Sequence, residues 1–290
     1  MTRRVAIVGL GLLGGSLGLA LRARVPGIEV LGVGRRLETA DAALRLGAVD
    51  RAGTDLALLR DAELVVLACP LWSTAQVLEE AVPHLAEGCR VTDVGSVKAG
   101  VVAHALTVLD PGRNPFLGGH PMAGKVVTGI DHAEADLFKG RPWVLTPQDG
   151  PLPGGWEDYV EAIEAIGAVP LLTTPEDHDR SVAMISHLPF LLSAAYLASM
   201  AEDVAWPSAS ELASSGFRDI SRLGAGNPEM YAAIVAANRD EVLRSLAGLR
   251  AVLDRFETLI EEDSGDRVSE FFEVARATRD RWAADHPHLA

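Results

Sequence analysis

The sequence contains few cysteines and is short of positive charge. The two cysteines among 290 residues, Cys69 and Cys89, argue against a disulfide framework and a cysteine-rich metal site, and a reducing cytoplasm suits the chain. The 26 basic residues are outnumbered by 40 acidic ones, which gives a net charge of −14. Because such a surface repels nucleic acid and anionic membranes, we expect neither as a partner. An anionic substrate would have to be bound by a few local arginines.

Hydrophobic runs long enough to cross a membrane are also scarce. The first uncharged run, residues 5–21, lies between arginines as in a signal peptide, but glycines interrupt it and no small-residue cleavage site follows. It is also shorter than the ~20 residues of a spanning helix. The second run, residues 181–201, contains His187, Pro189 and four serines. We expect it to form a buried helix of an all-helical core, and we predict no membrane segment.

Strand-like and helix-like segments alternate over the first 174 residues. Short apolar runs such as RVAIVG (4–9), EVLGVG (29–34) and AELVVLACP (62–70) are separated by segments of helical length and pattern. This alternation predicts a Rossmann-type α/β domain with a doubly wound, mostly parallel sheet.

The pattern changes after residue 174, where helical periodicity dominates residues 176–202, 207–217, 228–262 and 266–284. We therefore divide the chain into a dinucleotide-binding domain, residues 1–174, and an all-α domain, residues 175–290. The second domain is too elongated to form a good core alone. We expect it to pack against a second copy, so that the protein is a homodimer.

The first predicted strand ends in a glycine motif, G-x-G-x-x-G, formed by Gly9, Gly11 and Gly14. The first glycine permits a tight turn, the second lets the backbone approach a pyrophosphate, and the third lets the helix pack on the strand. The helix N-terminus then offers free N–H groups to the phosphates. The other residues expected to contact the cofactor are Leu12, Leu13, Cys69 and Pro70.

The end of the second predicted strand departs from the usual NAD-binding pattern. An NAD site places an acidic residue there to bind the ribose 2′-hydroxyl, whereas this chain has Gly34 followed by Arg35 and Arg36. Two guanidinium groups without a carboxylate favour a 2′-phosphate. We predict NADP as the preferred cofactor, with NAD as the alternative; the other interpretation of the two arginines is a solvated turn.

Four further stretches carry candidate chemistry: DVGSVK (93–98), LGGHPMAG (117–124), SHLP (186–189) and GFRDISRLGAGNPEMY (216–231). The first two follow predicted strands, so they should lie at the carboxyl edge of the sheet, where such folds bind ligands. His120 is flanked by glycine and proline, which predicts a loop position close to the nicotinamide and indicates a functional histidine.

Together with the glycine motif, these stretches resemble those of the prephenate and arogenate dehydrogenases of tyrosine biosynthesis, in the same order and at similar spacing. The resemblance implies a Rossmann domain followed by an interlocked helical dimerisation domain. It also implies oxidative decarboxylation of a cyclohexadienol, with hydride transfer to the nicotinamide. Aromatisation of the ring drives this reaction, so the protein mainly orients the substrate and polarises its hydroxyl.

The resemblance also assigns roles to particular residues. His120 matches the catalytic histidine that accepts a hydrogen bond, and the proton, from the substrate hydroxyl, and Ser96 matches the serine that hydrogen-bonds this centre and the nicotinamide. Arg222 matches the arginine that binds a substrate carboxylate. The expected substrate-binding residues are Arg222, Arg218 one helical turn earlier, His187 and Tyr231.

Three positions depart from the prephenate-selective members of the family. Val126 stands where they have an acidic residue, Phe190 stands where they have a second histidine, and Lys125 is unusual in this loop. With the two arginines after the second strand, the departures at Val126 and Phe190 resemble the cyanobacterial-type NADP-dependent arogenate dehydrogenases. The choice between prephenate and arogenate stays open at this point.

Two alternative functions share parts of this sequence pattern. A hydroxyacid dehydrogenase of the 6-phosphogluconate type would carry a catalytic lysine on a helix of the second domain, but no lysine follows residue 176. A non-catalytic NADP sensor would need neither His120 nor Arg222. Their joint presence favours an enzyme.

Overall fold

A computed structural model of the chain describes residues 2–125 and 127–286. The chain forms two compact units that divide between Arg239 and Asp240. The strands of the first unit are β1 (Arg4–Val8), β2 (Glu29–Val33), β3 (Arg51–Gly53), β4 (Leu64–Leu67), β5 (Arg90–Asp93), β6 (Phe116–Pro121), β7 (Pro142–Thr146) and β8 (Val169–Leu172).

Helices alternate with the strands as far as β8, and helical elements follow it. They are α1 (Leu12–Arg24), α2 (Leu37–Leu46), α3 (Leu71–Ala81), α4 (Ala99–Val108), α5 (Glu157–Ala165), α6 (Pro175–Val182), α7 (Leu188–Ala201), α8 (Trp206–Ser210), α9 (Ser215–Ser221), α10 (Pro228–Ala237), α11 (Arg239–Glu261) and α12 (Gly265–Asp285). A π-helical turn, Ala183–His187, joins α6 to α7, and a 3-10 turn, Arg222–Ala225, follows α9.

β1 lies inside the sheet, between β2 and β4, and both of its faces are apolar. Val5 and Ile7 enter the core on one face, and Ala6 and Val8 enter the core on the other. Successive strand residues point to opposite faces, so an unbroken apolar run suits a strand that is covered by helices on both sides.

The eight strands form one sheet in the order β3-β2-β1-β4-β5-β6-β7-β8. Every neighbouring pair is parallel except β6 and β7. This confirms the predicted doubly wound, mostly parallel α/β sheet. The order of the strands along the chain reverses between β1 and β4, and open sheets bind ligands in the crevice at such a point, beyond the carboxyl ends of the strands.

Three local features differ from the sequence prediction. The helix predicted over residues 207–217 is two short helices, α8 and α9. A short edge strand, β3, pairs with β2 and was not predicted. The helix predicted over residues 228–262 is two helices, because Asn238 leaves the helical conformation between α10 and α11. The Asn238 side chain instead bonds to groups near the candidate site.

The apolar stretch Pro175–Ala201, which includes α6, the π turn and α7, is long and apolar enough by length and composition to cross a membrane. Only 28% of its most apolar 18-residue window is buried, so the expectation of a buried helix is wrong for the single chain. Exposed side chains such as Met184 and Ile185 leave an apolar face uncovered. Length and apolarity do not distinguish a membrane span from a helix that packs against another protein surface.

The second compact unit contains the helices α11 and α12. Phe256 of α11 stacks on Phe271 of α12, with ring centroids 4.6 Å apart, and meets Phe272 edge to face at 5.6 Å. Such aromatic contacts join two antiparallel helices that otherwise have highly charged surfaces.

We expect the third glycine of the loop to be required for stability. An alanine Cβ at Gly14 would overlap with the carbonyl oxygen of Gly9, so Gly14→Ala should lower the free energy of unfolding by about 1–3 kcal/mol. The matched control is Gly100→Ala on the exposed side of α4, where a Cβ meets no atom within 4 Å. This control should be neutral or stabilising by about 0.5–1 kcal/mol. Urea denaturation of both variants measures the difference, and equal effects would contradict the packing argument.

Candidate active site

The glycine loop lies at the carboxyl end of β1, next to the end of β4. Gly9 has φ of +105°, and a Cβ there would lie 2.5 Å from the carbonyl oxygen of Ala68. Gly11 precedes the first turn of α1, which no side chain caps, and no atom lies within 4 Å of its Cβ position. A pyrophosphate therefore fits over Gly11, where N–H groups of the helix N-terminus can bind it.

The other predicted cofactor residues surround the same crevice. Leu12 and Leu13 form the first turn of α1, and Cys69 and Pro70 connect β4 to α3. Burial raises the pKa of the Cys69 thiol, whose sulfur lies 3.7 Å from the hydroxyl of Thr74. Cys69 is consequently a neutral thiol at neutral pH, suited to packing and not to nucleophilic chemistry.

The end of β2 presents two arginines to solvent. Gly34 is buried, and a Cβ on it would lie 3.2 Å from the carbonyl oxygen of Arg36, so a carboxylate-bearing side chain would be crowded there. Arg35 and Arg36 are exposed. Neither is ion-paired with an acidic group in residues 2–125 or 127–286, so both guanidinium groups are available to an anion.

His120 lies inside a strand and not in the predicted loop. It belongs to β6 and pairs with Val144 of the antiparallel neighbour β7. The two preceding glycines looked like a loop signal, but their role is close packing: a Cβ on Gly119 would lie 2.6 Å from the carbonyl oxygen of Asp93. β6 therefore lies tightly against β5, and its carboxyl end brings His120 to the same sheet edge as the glycine loop.

A buried ion pair lies below His120. Lys98 and Asp93 are fully buried and in direct contact, and the Lys98 ammonium also donates to the carbonyl oxygen of Gly119 at 2.9 Å. The Asp93 carboxylate accepts the backbone N–H groups of Gly95 at 2.9 Å and Gly119 at 3.1 Å. Burial lowers the pKa of Lys98, and the charge of Asp93 opposes this shift. The pair thus fixes the positions of the DVGSVK loop and β6 relative to each other.

The Nδ1 atom of His120 lies 2.8 Å from Nε2 of His178, a residue of α6. His178 is buried, and its own Nδ1 lies 2.7 Å from Oδ1 of Asp179. Oδ1 of Asp179 accepts the backbone N–H of Lys98 at 2.7 Å, and Oδ2 accepts that of Ala99 at 2.8 Å. Two imidazole rings and a carboxylate are therefore linked in series.

The surroundings keep His120 neutral. Burial lowers its pKa well below 6.5, and positive charge on His178, Lys98 or His187 would lower it further. Its Nε2 atom has no hydrogen-bond partner among the described residues, although the side chain is partly exposed. A neutral imidazole with one free nitrogen at a ligand-binding edge is suited to accept a proton.

His187 is buried at the end of the π turn and does not present a free polar group. Its Nδ1 lies 3.2 Å from the amide nitrogen of Asn238, which also donates to the carbonyl oxygen of Asp179 at 2.8 Å. Burial lowers the pKa of His187 to about 4, the charge of Asp179 opposes this shift, and a positive charge on His178 would add to it. His187 is therefore a neutral member of the polar cluster behind His120.

A second cluster surrounds the predicted substrate-binding segment. Phe190 stacks face to face on Tyr231, with centroids 4.0 Å apart, and the Tyr231 hydroxyl donates to the carbonyl oxygen of Leu223 at 2.9 Å. The Ser193 hydroxyl donates to the carbonyl oxygen of Ile220 and accepts the N–H of Gly224, both at 2.7 Å. These contacts hold the backbone on both sides of Arg222.

The remaining predicted residues are more exposed. α9 ends at Ser221, so Arg218 belongs to this helix and Arg222 begins the following 3-10 turn. Both arginines are exposed; Arg218 pairs with Asp219 at 2.9 Å, whereas Arg222 has no ion-pair partner among the described residues. Ser96 is partly exposed in the loop between β5 and α4.

The loop after His120 contains two of the unusual positions. Lys125 pairs with Glu134 at 2.7 Å and donates to the carbonyl oxygen of His132 at 3.1 Å, so its ammonium has partners within the protein. Val126 lies outside the described residues.

Sequence reasoning missed His178, Asp179 and Asn238. The segment PEDHDR (175–180) has the composition of an exposed helix N-terminus, and its residues His178 and Asp179 become buried because α6 packs on the start of α4. The one feature of the sequence that could have indicated them is that His178 and Asp179 lie just before the uncharged run, residues 181–201, that contains His187.

Two family models match the chain. One, described as "Prephenate dehydrogenase, nucleotide-binding domain", matches residues 17–170, and the other, described as "Prephenate dehydrogenase, dimerization domain", matches residues 174–274. Together they account for most of the chain.

Individual relatives are similar over nearly the whole length. A prephenate dehydrogenase of Bacillus subtilis is 32% identical over 97% of this chain and 76% of its own length. The structure of Synechocystis arogenate dehydrogenase has 38% identity and a TM-score of 0.86, over 96% of this chain and 99% of that one. The structure of the Aquifex aeolicus prephenate dehydrogenase with hydroxyphenyl propionate and NAD⁺ has 26% identity and a TM-score of 0.90, over 97% of this chain and 98% of that one.

The buried neutral state of His187 predicts a loss of stability in acid. The unfolded chain protonates this histidine near pH 6.5 and the folded chain only near pH 4, so the unfolded state binds more protons between these values. The free energy of unfolding should therefore fall as pH decreases from 6.5 to 4, by about 3 kcal/mol from this group.

Urea denaturation across this pH range measures the slope. His187→Asn keeps an acceptor for Asn238 and should flatten the slope. The same change at His104, a partly exposed histidine beside Glu79, should leave the slope unchanged. Equal slopes in the wild type and in His187→Asn would contradict the assignment.

Proposed function

Since the chain belongs to the prephenate dehydrogenase family, we propose that it catalyses the oxidative decarboxylation of prephenate or arogenate, with a nicotinamide dinucleotide as hydride acceptor. Family membership confirms the resemblance that the sequence motifs indicated. The observation that carries the proposal is the neutral His120, whose free Nε2 lies at the same sheet edge as the glycine loop. A proton acceptor and a dinucleotide loop at one edge are what this reaction requires.

The bonds broken in the reaction define the task of each residue. A dinucleotide held at the glycine loop would supply the acceptor for the hydride that leaves the carbinol carbon of the substrate. His120 accepts the hydroxyl proton at Nε2, the electrons of the bond to the ring carboxylate enter the ring, and carbon dioxide leaves. Because aromatisation drives the reaction, the protein has to orient the hydroxyl and keep His120 unprotonated.

Arg222 is the proposed partner of a substrate carboxylate. It is exposed, it is not ion-paired within the described residues, and hydrogen bonds from Ser193 and Tyr231 hold its backbone segment. We assign a supporting role to Arg218 and propose that Ser96 binds near the hydroxyl and the nicotinamide. For His187 and Tyr231 we propose that they shape the substrate site from behind, because their polar atoms bond within the protein.

Phe190 bears on the choice of substrate. Its ring stacks on Tyr231 and offers no hydrogen bond where prephenate-selective members have a histidine. With the 38% identity to an arogenate dehydrogenase of Synechocystis, this supports arogenate as the preferred substrate.

NADP is the proposed cofactor. Support comes from the two exposed arginines after β2 and from the crowding at Gly34, which disfavours the carboxylate typical of NAD sites. Arginine binds phosphate through paired hydrogen bonds, so either guanidinium can bind a 2′-phosphate.

We further propose that the protein is a cytoplasmic homodimer whose domains meet near residue 174. The dimerization-domain match begins at residue 174, and the helices after this residue expose large apolar side chains such as Met184 and Ile185. A second copy of the chain would cover this face.

The first functional prediction concerns turnover. Purified protein with arogenate or prephenate and NADP⁺ or NAD⁺ should produce reduced cofactor, measured by absorbance. His120→Asn should lower kcat by about 10²–10⁴-fold, because the proton acceptor is lost, and should leave dinucleotide binding intact. The absence of turnover with all four combinations would exclude the proposed activity, and unchanged turnover in the variant would exclude His120 as the base.

The second prediction concerns cofactor choice. Replacing Arg35 and Arg36 together by alanine should raise the KM for NADP⁺ by about 10–100-fold and change the KM for NAD⁺ little, because only NADP⁺ carries the 2′-phosphate. The control is Arg60→Ala, at an exposed position away from the glycine loop. Equal effects on both cofactors would argue that the arginines do not bind the 2′-phosphate.

A further inference from the structure

Hydrogen bonds link Asp179, His178 and His120 in series, and the direction of these bonds is set at Asp179. The carboxylate of Asp179 is an acceptor only, and it already accepts the backbone N–H groups of Lys98 and Ala99. The contact of 2.7 Å from Oδ1 of Asp179 to Nδ1 of His178 is therefore a hydrogen bond in which His178 donates. His178 carries a proton on Nδ1.

The protonation state of His178 determines that of His120. The His178 side chain is buried, and its two ring nitrogens lie 2.7 Å from Oδ1 of Asp179 and 2.8 Å from Nδ1 of His120. A neutral His178 with its proton on Nδ1 has a lone pair on Nε2. The 2.8 Å contact then requires that Nδ1 of His120 donates, which leaves Nε2 of His120 without a proton.

We propose that His178, held by Asp179, is a positioning residue that fixes the tautomer of His120, so that Nε2 of His120 faces the substrate hydroxyl as the proton acceptor. This inference rests on the proposed function for its kinetic consequences, whereas the tautomer itself does not depend on which substrate is turned over.

The arrangement also stabilises the charge that develops. When the hydroxyl O–H bond breaks, the proton forms an N–H bond at Nε2 of His120, and the ring becomes an imidazolium. Its Nδ1–H remains bonded to His178, which is polarised by the Asp179 carboxylate. Without this link the cation would form beside the Lys98 ammonium with only the buried Asp93 to offset it.

Five charged or titratable groups among the described residues act on His120 directly or through a contact partner. They are His178 and Asp179 from α6, Lys98 from the loop before α4, Asp93 from β5 and His187 from the π turn. Among them Asp179 is the group that reaches His120 through a chain of hydrogen bonds in the described structure.

His178→Phe removes the acceptor and fills a similar volume. The backbone bonds from Lys98 and Ala99 to Asp179 do not involve the imidazole and should persist. We expect kcat to fall on the order of 10²-fold, with the KM values for substrate and dinucleotide within about threefold of the wild type. The acid limb of the kcat profile should also move, because the proton on His120 loses its stabilising partner. A loss confined to the KM values would contradict a positioning role.

His178→Gln is the conservative variant. The Oε1 atom of glutamine can reach the position of Nε2 and accept from Nδ1 of His120, so most of the activity lost in His178→Phe should return. The matched control is His104→Gln on α4, which should behave as the wild type. Equal losses in the phenylalanine and glutamine variants would mean that the hydrogen bond to His120 is not what matters.

The double variant His120→Asn with His178→Phe tests whether His178 acts through His120. If it does, the double variant is no slower than His120→Asn alone. If the fold-losses in kcat of the two single variants multiply in the double variant, the proposal is overturned and His178 has a structural role.

Nitrogen-15 NMR of the histidine rings in the free enzyme tests the tautomer without any turnover. Nε2 of His120 should have the chemical shift of an unprotonated nitrogen in the wild type and in His178→Gln, and the two tautomers should mix in His178→Phe. A protonated Nε2 in the wild-type enzyme would overturn the proposal even if the enzyme is active. Absence of turnover together with the expected tautomer would instead contradict the proposed substrate.

Discussion

The candidate site depends on one buried carboxylate, that of Asp179. It accepts two backbone N–H groups at the start of α4 and one imidazole N–H from its own helix, so it joins the end of the sheet to the helices that follow β8. A buried carboxylate is costly unless donors surround it, and removing one partner of such a cluster is strongly destabilising. Asp179 therefore fixes the segment that supplies the DVGSVK loop and, through His178, the orientation of His120.

The ion pair of Lys98 and Asp93 is the second constraint on the site, and it explains the double glycine before His120. A Cβ at residue 119 would collide with the carbonyl oxygen of Asp93 on β5, and a Cβ at residue 118 would collide with the hydroxyl of Thr146 on β7, so β6 can pack between β5 and β7 only with glycine at both positions. The buried ammonium also disfavours protonation of His120. The glycines, the ion pair and the neutral histidine thus form one arrangement, in which packing in the sheet determines the chemistry available at its edge.

Local patterns in the sequence were enough to predict the doubly wound, mostly parallel α/β sheet, the glycine loop and the arginines after β2. The requirements of these features are local: a turn, a helix N-terminus, a strand end. Contacts between distant segments could not be predicted in the same way. His178 and Asp179 lie in a charged helix that looks exposed, and the strand position of His120 depends on pairing with β7. The apolarity of the run 181–201 predicts a buried helix, but the described part of the single chain leaves most of it uncovered.

The most direct test is a crystal structure of the chain with NADP⁺ and hydroxyphenyl propionate, the aromatic ligand present in the Aquifex aeolicus relative. The account predicts that the phenol oxygen lies within about 3 Å of Nε2 of His120, a hydrogen-bond distance. Nδ1 of His120 should remain bonded to His178, and the ligand carboxylate should lie against Arg222. A phenol oxygen bound away from His120, or facing its Nδ1 atom, would contradict the account.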